Sequence, residues 1–424
     1  MSFISNKQNT EGKRVFWGWV VNLVITLSFI LPVIIPGTTL FAGSITERFN
    51  FAKHEINFKK VGEFDLPVMR DWLYTAEVGK PMIPYLSFQV LVPPTAEVTE
   101  VKILSAKKVE IEGEYYIYPS QPPVPISYKG KIPFVPPDAA IYNSEEDYPI
   151  LLVDFVPTGS KSGYRISGIN VYPLHYVPKE RKLYLYTELS IEIVYEEGKV
   201  QAQPLTESQK RLFGAEVRSL IINKKDLHRF EPPTKIIDQG NEIDYLIITS
   251  NTLESNFQPL ADWKTKKGWS TKIRNTNWIN SNYSGRDLQE KIRNYIRICF
   301  NDSSLKFVLL AGDNSIIPSR QARAYVSGET GNIPCDLYYA DLQWSWDGNG
   351  DNIFGDTSRY DTVDLYYDIY IGRVSVENAT EISNFLNKLF IYEKNPDTSY
   401  IKRILLPWGE LWSGYVASQS QDSI

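Results

Sequence analysis

Two cysteines and three histidines bound the nucleophilic chemistry open to these 424 residues. A thiol attacks a carbonyl efficiently only when a base takes its proton, so Cys299 or Cys335 needs a histidine within hydrogen-bond reach. Cys299 falls on the apolar side of a helical repeat with Leu288, Ile292, Tyr295 and Ile296, a setting that buries a thiol and leaves it inert. Cys335 follows Pro334 in a loop and is better placed. His54 and His175 fall in a β-rich first half, His228 falls in a charged stretch, and no histidine follows it. A complete Cys–His pair cannot be assembled from these residues by sequence reasoning, and no zinc-finger or metalloprotease spacing is present.

Other groups are better candidates. Gly312-Asp313, Gly372-Arg373 and Gly409-Glu410 each set a charge directly after a glycine that closes a short apolar run. Open α/β sheets bind ligands outside the carboxyl ends of their strands, so the three predict a shared rim. The plain alternative for each is a glycine that stops a strand and a charge that meets solvent. In WDGNGDNIFGD (Trp346 to Asp356), Asp347, Asn349 and Asp351 alternate, with Asp356 beyond. Alternating carboxylate and amide oxygens on a glycine-rich loop suit calcium. The loop is no EF-hand, because Asn352 stands at the turn glycine and Ser358 at the bidentate glutamate; a hairpin tip is the competing reading.

The elements that must position these groups divide in two. From Phe51 to Glu197 the pattern is β, with Leu183, Leu185, Leu189, Ile191, Ile193 and Tyr195 alternating with outward residues. Further strands are expected at Tyr85–Val92, Val98–Leu104 and Val109–Tyr118, separated by proline-bearing connections, which predicts a β-sandwich. Thr206–Ile222 reads as a helix, and Lys224–Lys235 as an exposed, unstructured linker. Beyond Asn241, strands (Asp244–Ser250, Ser270–Arg274, Phe307–Asp313, Asp368–Arg373, Arg403–Gly409) alternate with helices, which predicts an incomplete α/β domain built on a mostly parallel sheet. The expected divisions are 1–43, 44–200, 201–241 and 242–424.

Bulk properties agree. A hydrophobic fraction of 43% describes a globular chain, and a net charge of −5 gives no reason to expect nucleic-acid binding. Lys13 and Arg14 precede an uncharged stretch, Val15 to Ala42, which reads as a signal peptide or a retained signal anchor. The chain beyond about Ser44 is expected to be secreted or held at the cell surface, touching membrane only through that segment.

With these residues in view, DYLIITS, PLADWKTKKGWSTKI, FVLLAGDNSIIP, DLYYDIYIGRVSVENATEISNFLNKLFIYEKN and LLPWGELWSGY resemble, in order, the first part of the gingipain-type cysteine peptidase domain. PYLSFQVLVPPTAEV, GEYYIYPSQPPVP and VYPLHYVP are similar to that family's propeptide. The resemblance implies an exported zymogen of a cysteine endopeptidase: a β-sandwich prodomain acting as intramolecular inhibitor, then a caspase-like domain that cleaves protein and peptide substrates. In the family the catalytic histidine lies in a Gly-His-Gly context downstream, and the cysteine further on. No histidine here has a glycine neighbour, so the chain is expected to stop short of the dyad and to be inactive alone. The resemblance assigns Glu410 as the acid supporting the histidine and Asp422 to the primary specificity pocket. The alternative is a non-catalytic exported binding or adhesion protein.

Overall fold

The computed structural model describes residues 41–123, 130, 132–238, 240–326, 329–357, 361–399, 403–405, 410–412 and 415–416. The strand Lys182–Glu196 is the spine of the first half. Its six alternating apolar side chains, from Leu183 to Tyr195, all point into the core, each contributing roughly 2 kcal/mol of burial. It pairs antiparallel with Glu97–Ile111 on one side, and with Ala42–Asn50 and Leu174–Val177 on the other. Glu97–Ile111 is one strand where the sequence pattern suggested two. Register shifts at Tyr186/Glu188, Ser190/Ile191 and Val194/Tyr195 act as bulges that let a long pair keep twisting without breaking.

A second sheet is built on Pro84–Val92 and Tyr164–Val171, with Leu73–Tyr74, Val153–Phe155 and Gly159–Lys161 alongside. Val90, Ile166, Ile169 and Val171 from this sheet share a core with Leu185, Ile191 and Ile193 from the first. Two sheets closing on one apolar layer make the expected sandwich-like first half.

The helix Glu207–Leu220 starts as its sequence dictates. Thr206 caps it, and Gln209 returns a bond to the Thr206 amide, satisfying two otherwise orphaned N–H groups. The stretch after it departs from expectation. Lys224–Lys235 is docked rather than free: Asn223 bonds both the N–H and the C=O of Leu91 at 2.9 Å, and Leu227 and Phe230 are buried. Two apolar anchors three residues apart, just after a short 3-10 turn at Lys224–Asp226, are too few to show as a period among so many charges. Lys224, Lys225, His228 and Arg229 remain exposed.

In the second half, four strands run parallel in the order Thr271–Asn275, Tyr245–Thr249, Phe307–Ala311, Tyr370–Val374. Alternate residues face opposite sides. Leu246, Ile248, Val308 and Leu310 meet the helix Leu288–Asp302, while Ile247, Leu309 and Ala311 meet Phe257, Leu260, Ile382 and Leu386. Both faces are therefore covered, as near-continuous apolar strands require.

The strand expected at Arg403–Gly409 is not seen among the described residues. Arg403–Leu405 is coil, with Ile404 and Leu405 77% and 88% exposed, and 406–409 lie outside the described residues. An apolar run alone does not distinguish a paired strand from an unpaired segment. Glu410–Trp412 instead forms a separate antiparallel hairpin with Tyr415–Val416. No helix among the described residues is long and apolar enough to cross a membrane, and the Val15–Ile35 stretch lies outside them.

Candidate functional site at the carboxyl rim of the sheet

The loop after Phe307–Ala311 is closed by its own aspartate. Asp313 accepts from Ser315 N at 2.9 Å and Ser315 Oγ at 2.7 Å, which lowers its pKa. Glu377 faces it across the rim, and the hydrogen bond to Asp313 raises the Glu377 pKa. Gly312 is required by packing, since a Cβ there would lie 2.6 Å from the Ile316 side chain. Its amide donates to Val374 O at 3.0 Å, tying the loop to the last strand.

Arg373 lies within its strand rather than after it, and it is fully engaged. Its Nε and Nη2 form a two-pronged pair with Asp336 at 2.7 and 2.8 Å, and Nη1 donates to Gly312 O at 2.9 Å and Ile317 O at 2.8 Å. It positions the rim; it leaves little donor capacity for a ligand. Cys335 immediately precedes Asp336 at the end of a hairpin, opposite Arg320, as a half-buried free thiol.

No histidine lies in this half of the chain. His175 is buried in the sandwich, and His228 is exposed beside Glu231 at 3.0 Å. Cys299 is buried as its helical position implies, and burial pushes its thiol up to about 11. The rim thus gathers Asp313, Glu377, Asp336, Arg373 and Cys335 with no histidine among the described residues beside the thiol. Glu410 sits in the small hairpin, not on a strand of the parallel sheet, and Asp422 lies outside the described residues.

The acidic loop is held by internal contacts. Asp347 forms a salt bridge with Arg286, and the Asn349 amide donates to Asp351 at 2.9 Å. Gly348 N donates to Asp361 Oδ1 at 2.7 Å and Asp356 N to Asp361 Oδ2 at 2.8 Å. Among the described residues no group of three or more acids, cysteines or histidines is placed to hold a metal ion. Behind the loop, Asp341 is fully buried and accepts from Trp346 Nε1 at 3.0 Å; burial pushes it up to about 6.

Sequence reasoning passed over the Lys161–Glu216 pair and Asp364, which accepts from Ser160 N beside it, where the sandwich touches the second half. A lysine flanked by Ser160 and Ser162 between two glycines is a cue only for a turn.

Comparison with known proteins accounts for both halves. The propeptide family of C25 peptidases matches residues 44–229, and peptidase family C25 matches residues 238–422. Gingipain R2 of Porphyromonas gingivalis (strain ATCC 33277) is 23% identical over 366 residues, covering 85% of this chain and 45% of the relative. Lys-gingipain W83 of Porphyromonas gingivalis is 24% identical over 392 residues, covering 86% of this chain and 20% of the relative. The solved complex of Porphyromonas gingivalis RgpB pro- and mature domains is 22% identical, with a TM-score of 0.36, covering 43% of this chain and 93% of that one. The chain spans less than half the length of the curated relatives it matches. With one family model on each half, in the order propeptide then peptidase, the chain belongs to the gingipain family of cysteine peptidases, as a precursor that carries its propeptide.

Proposed function

We propose that this chain belongs to an exported cysteine endopeptidase precursor, in which the sandwich covers and restrains the α/β half until it is removed. The observation that carries the reading is the order of the two family matches within one chain, propeptide at 44–229 and peptidase at 238–422. The substrates are proteins and peptides, and the sandwich is the intramolecular inhibitor.

Removal of the sandwich is placed in Lys224–Lys235. Lys224, Lys225 and Arg229 are accessible there, while Leu227 and Phe230 hold the backbone down, so a turn must loosen before a protease can seat it. The natural protein, isolated from its source, is expected to show hydrolysis that requires a reducing agent and is blocked by iodoacetamide, with a mature N-terminus between Lys225 and Ile236. An N-terminus inside Tyr245–Thr249 would refute the processing assignment. Absence of thiol-dependent hydrolysis from the natural product would refute the peptidase reading and favour an exported binding protein.

A further inference from the structure

The sandwich reaches the second half through a tight hairpin turn that carries a buried lysine. Gly159–Lys161 reverses at Ser162 and Gly163, whose φ angles of 50° and 83° suit a two-residue turn between antiparallel strands, and continues into Tyr164–Val171. Lys161 is 2% exposed. Its ammonium lies 3.0 Å from Glu216 Oε1, on the helix Glu207–Leu220, and 3.3 Å from the centre of the Tyr367 ring. Glu216 also accepts from the Tyr367 hydroxyl, and from the Tyr370 hydroxyl at 2.6 Å.

Lys161 and Glu216 belong to the region matched by the propeptide family, whereas both tyrosines belong to the peptidase region. A buried ammonium paired with a half-buried carboxylate is tolerated only when the remaining hydrogen-bonding capacity of both is met. Here two phenol donors and an aromatic face come from the other half. Without that half, Glu216 loses two donors and Lys161 loses its ring.

The surrounding contacts cross the same boundary. Ser160 N donates to Asp364 Oδ2 at 2.6 Å, Ser162 Oγ to Tyr367 O at 3.4 Å, and Tyr366 Oη to Gln89 Oε1 at 2.8 Å. Gly159 lies so close to Tyr366 that a Cβ would stand 2.8 Å from its ring.

We propose that the face formed by Asp364, Tyr366, Tyr367 and Tyr370 is a docking site for a lysine presented on a tight β-turn, and that Lys161, set by Glu216, is the anchor by which the propeptide region holds the peptidase region. This assigns retention of the sandwich to a place apart from the sheet rim at Asp313 and Arg373. Its regulatory meaning rests on the precursor reading, but its test requires no activity.

A sequence-specific protease site inserted beside Ile236, which is 96% exposed, allows the folded full chain to be nicked. The halves are then diluted and their dissociation followed by size-exclusion chromatography. Lys161→Met keeps the apolar stem and removes the charge; it is expected to raise the dissociation constant about thirtyfold or more, as loss of a buried anchor does. Tyr370→Phe removes one donor to Glu216 and is expected to raise it about fivefold. Lys107→Met, at an exposed pair with Glu188, is expected to change nothing. Should Lys161→Met fail to fold, the double variant Tyr367→Phe/Tyr370→Phe decides. Dissociation constants equal to wild type in the folded variants overturn the proposal. Lack of hydrolysis by the natural protein would instead strike only at the precursor reading.

Discussion

Acid should weaken the sandwich through one side chain. His175, on the strand Leu174–Val177, is 2% exposed, with its ring edge-on to Tyr186 at 5.0 Å. Asp147 Oδ2 lies 3.4 Å from Nδ1, out of line for a good hydrogen bond, and the same oxygen is taken by Lys108 from the long neighbouring strand. Burial depresses the imidazole most, Asp147 opposes this, and Lys108 adds to it, leaving a value of about 4 against the usual 6.5. Because the folded value is the lower one, the unfolded chain takes up a proton first as pH falls. The stability that His175 contributes is complete above pH 6.5 and is lost progressively down to about pH 4. A gap of roughly 2.5 pH units corresponds to about 3 kcal/mol. The assay is urea denaturation at pH 7, 5.5 and 4.5, comparing wild type with His175→Phe, in which carboxylate titrations common to both cancel. Wild type is expected to lose about 2–3 kcal/mol more than the variant over that range. Parallel stability curves would refute the account of an imidazole trapped neutral.

Arg373→Met leaves Asp336 and the Gly312 and Ile317 carbonyls without their shared donor, and is expected to cost about 3 kcal/mol in urea denaturation. A loss under about 1 kcal/mol would show that the rim holds without its clamp. Since Asp347 is engaged by Arg286 and Asn349 by Asp351, calcium is expected to leave the melting temperature within about 1 °C of its value in chelator. A rise of several degrees that disappears in Asp347→Ala/Asp351→Ala would instead establish calcium binding at the loop.

The two halves differ in how openly their sequences state the structure. Leu183 to Tyr195 alternates so regularly that one register buries every apolar side chain, and the strand forms as its pattern requires. The parallel strands were equally plain, because runs such as Phe307–Ala311 are apolar on both faces. The docked stretch at Leu227 and Phe230 was opaque: two anchors among charges carry no period, and their burial depends on a groove supplied by distant strands. Arg403–Leu405 shows the converse, an apolar run with no partner strand among the described residues.

Local pattern alone determined the type of each strong element, the division into a β half and an α/β half, and the residues that carry the family resemblance. Each of these depends on residues close together in the chain. Tertiary structure decided that Arg373 clamps Asp336 and the Gly312 carbonyl, that Asp347 pairs with Arg286 and Asp351 with the Asn349 amide, and that Lys161, Glu216, Tyr367 and Tyr370 form one cluster. Those assignments turn on which charges lose water together. Burial and pairing are fixed by segments from 37 to 205 residues apart, which no local pattern encodes.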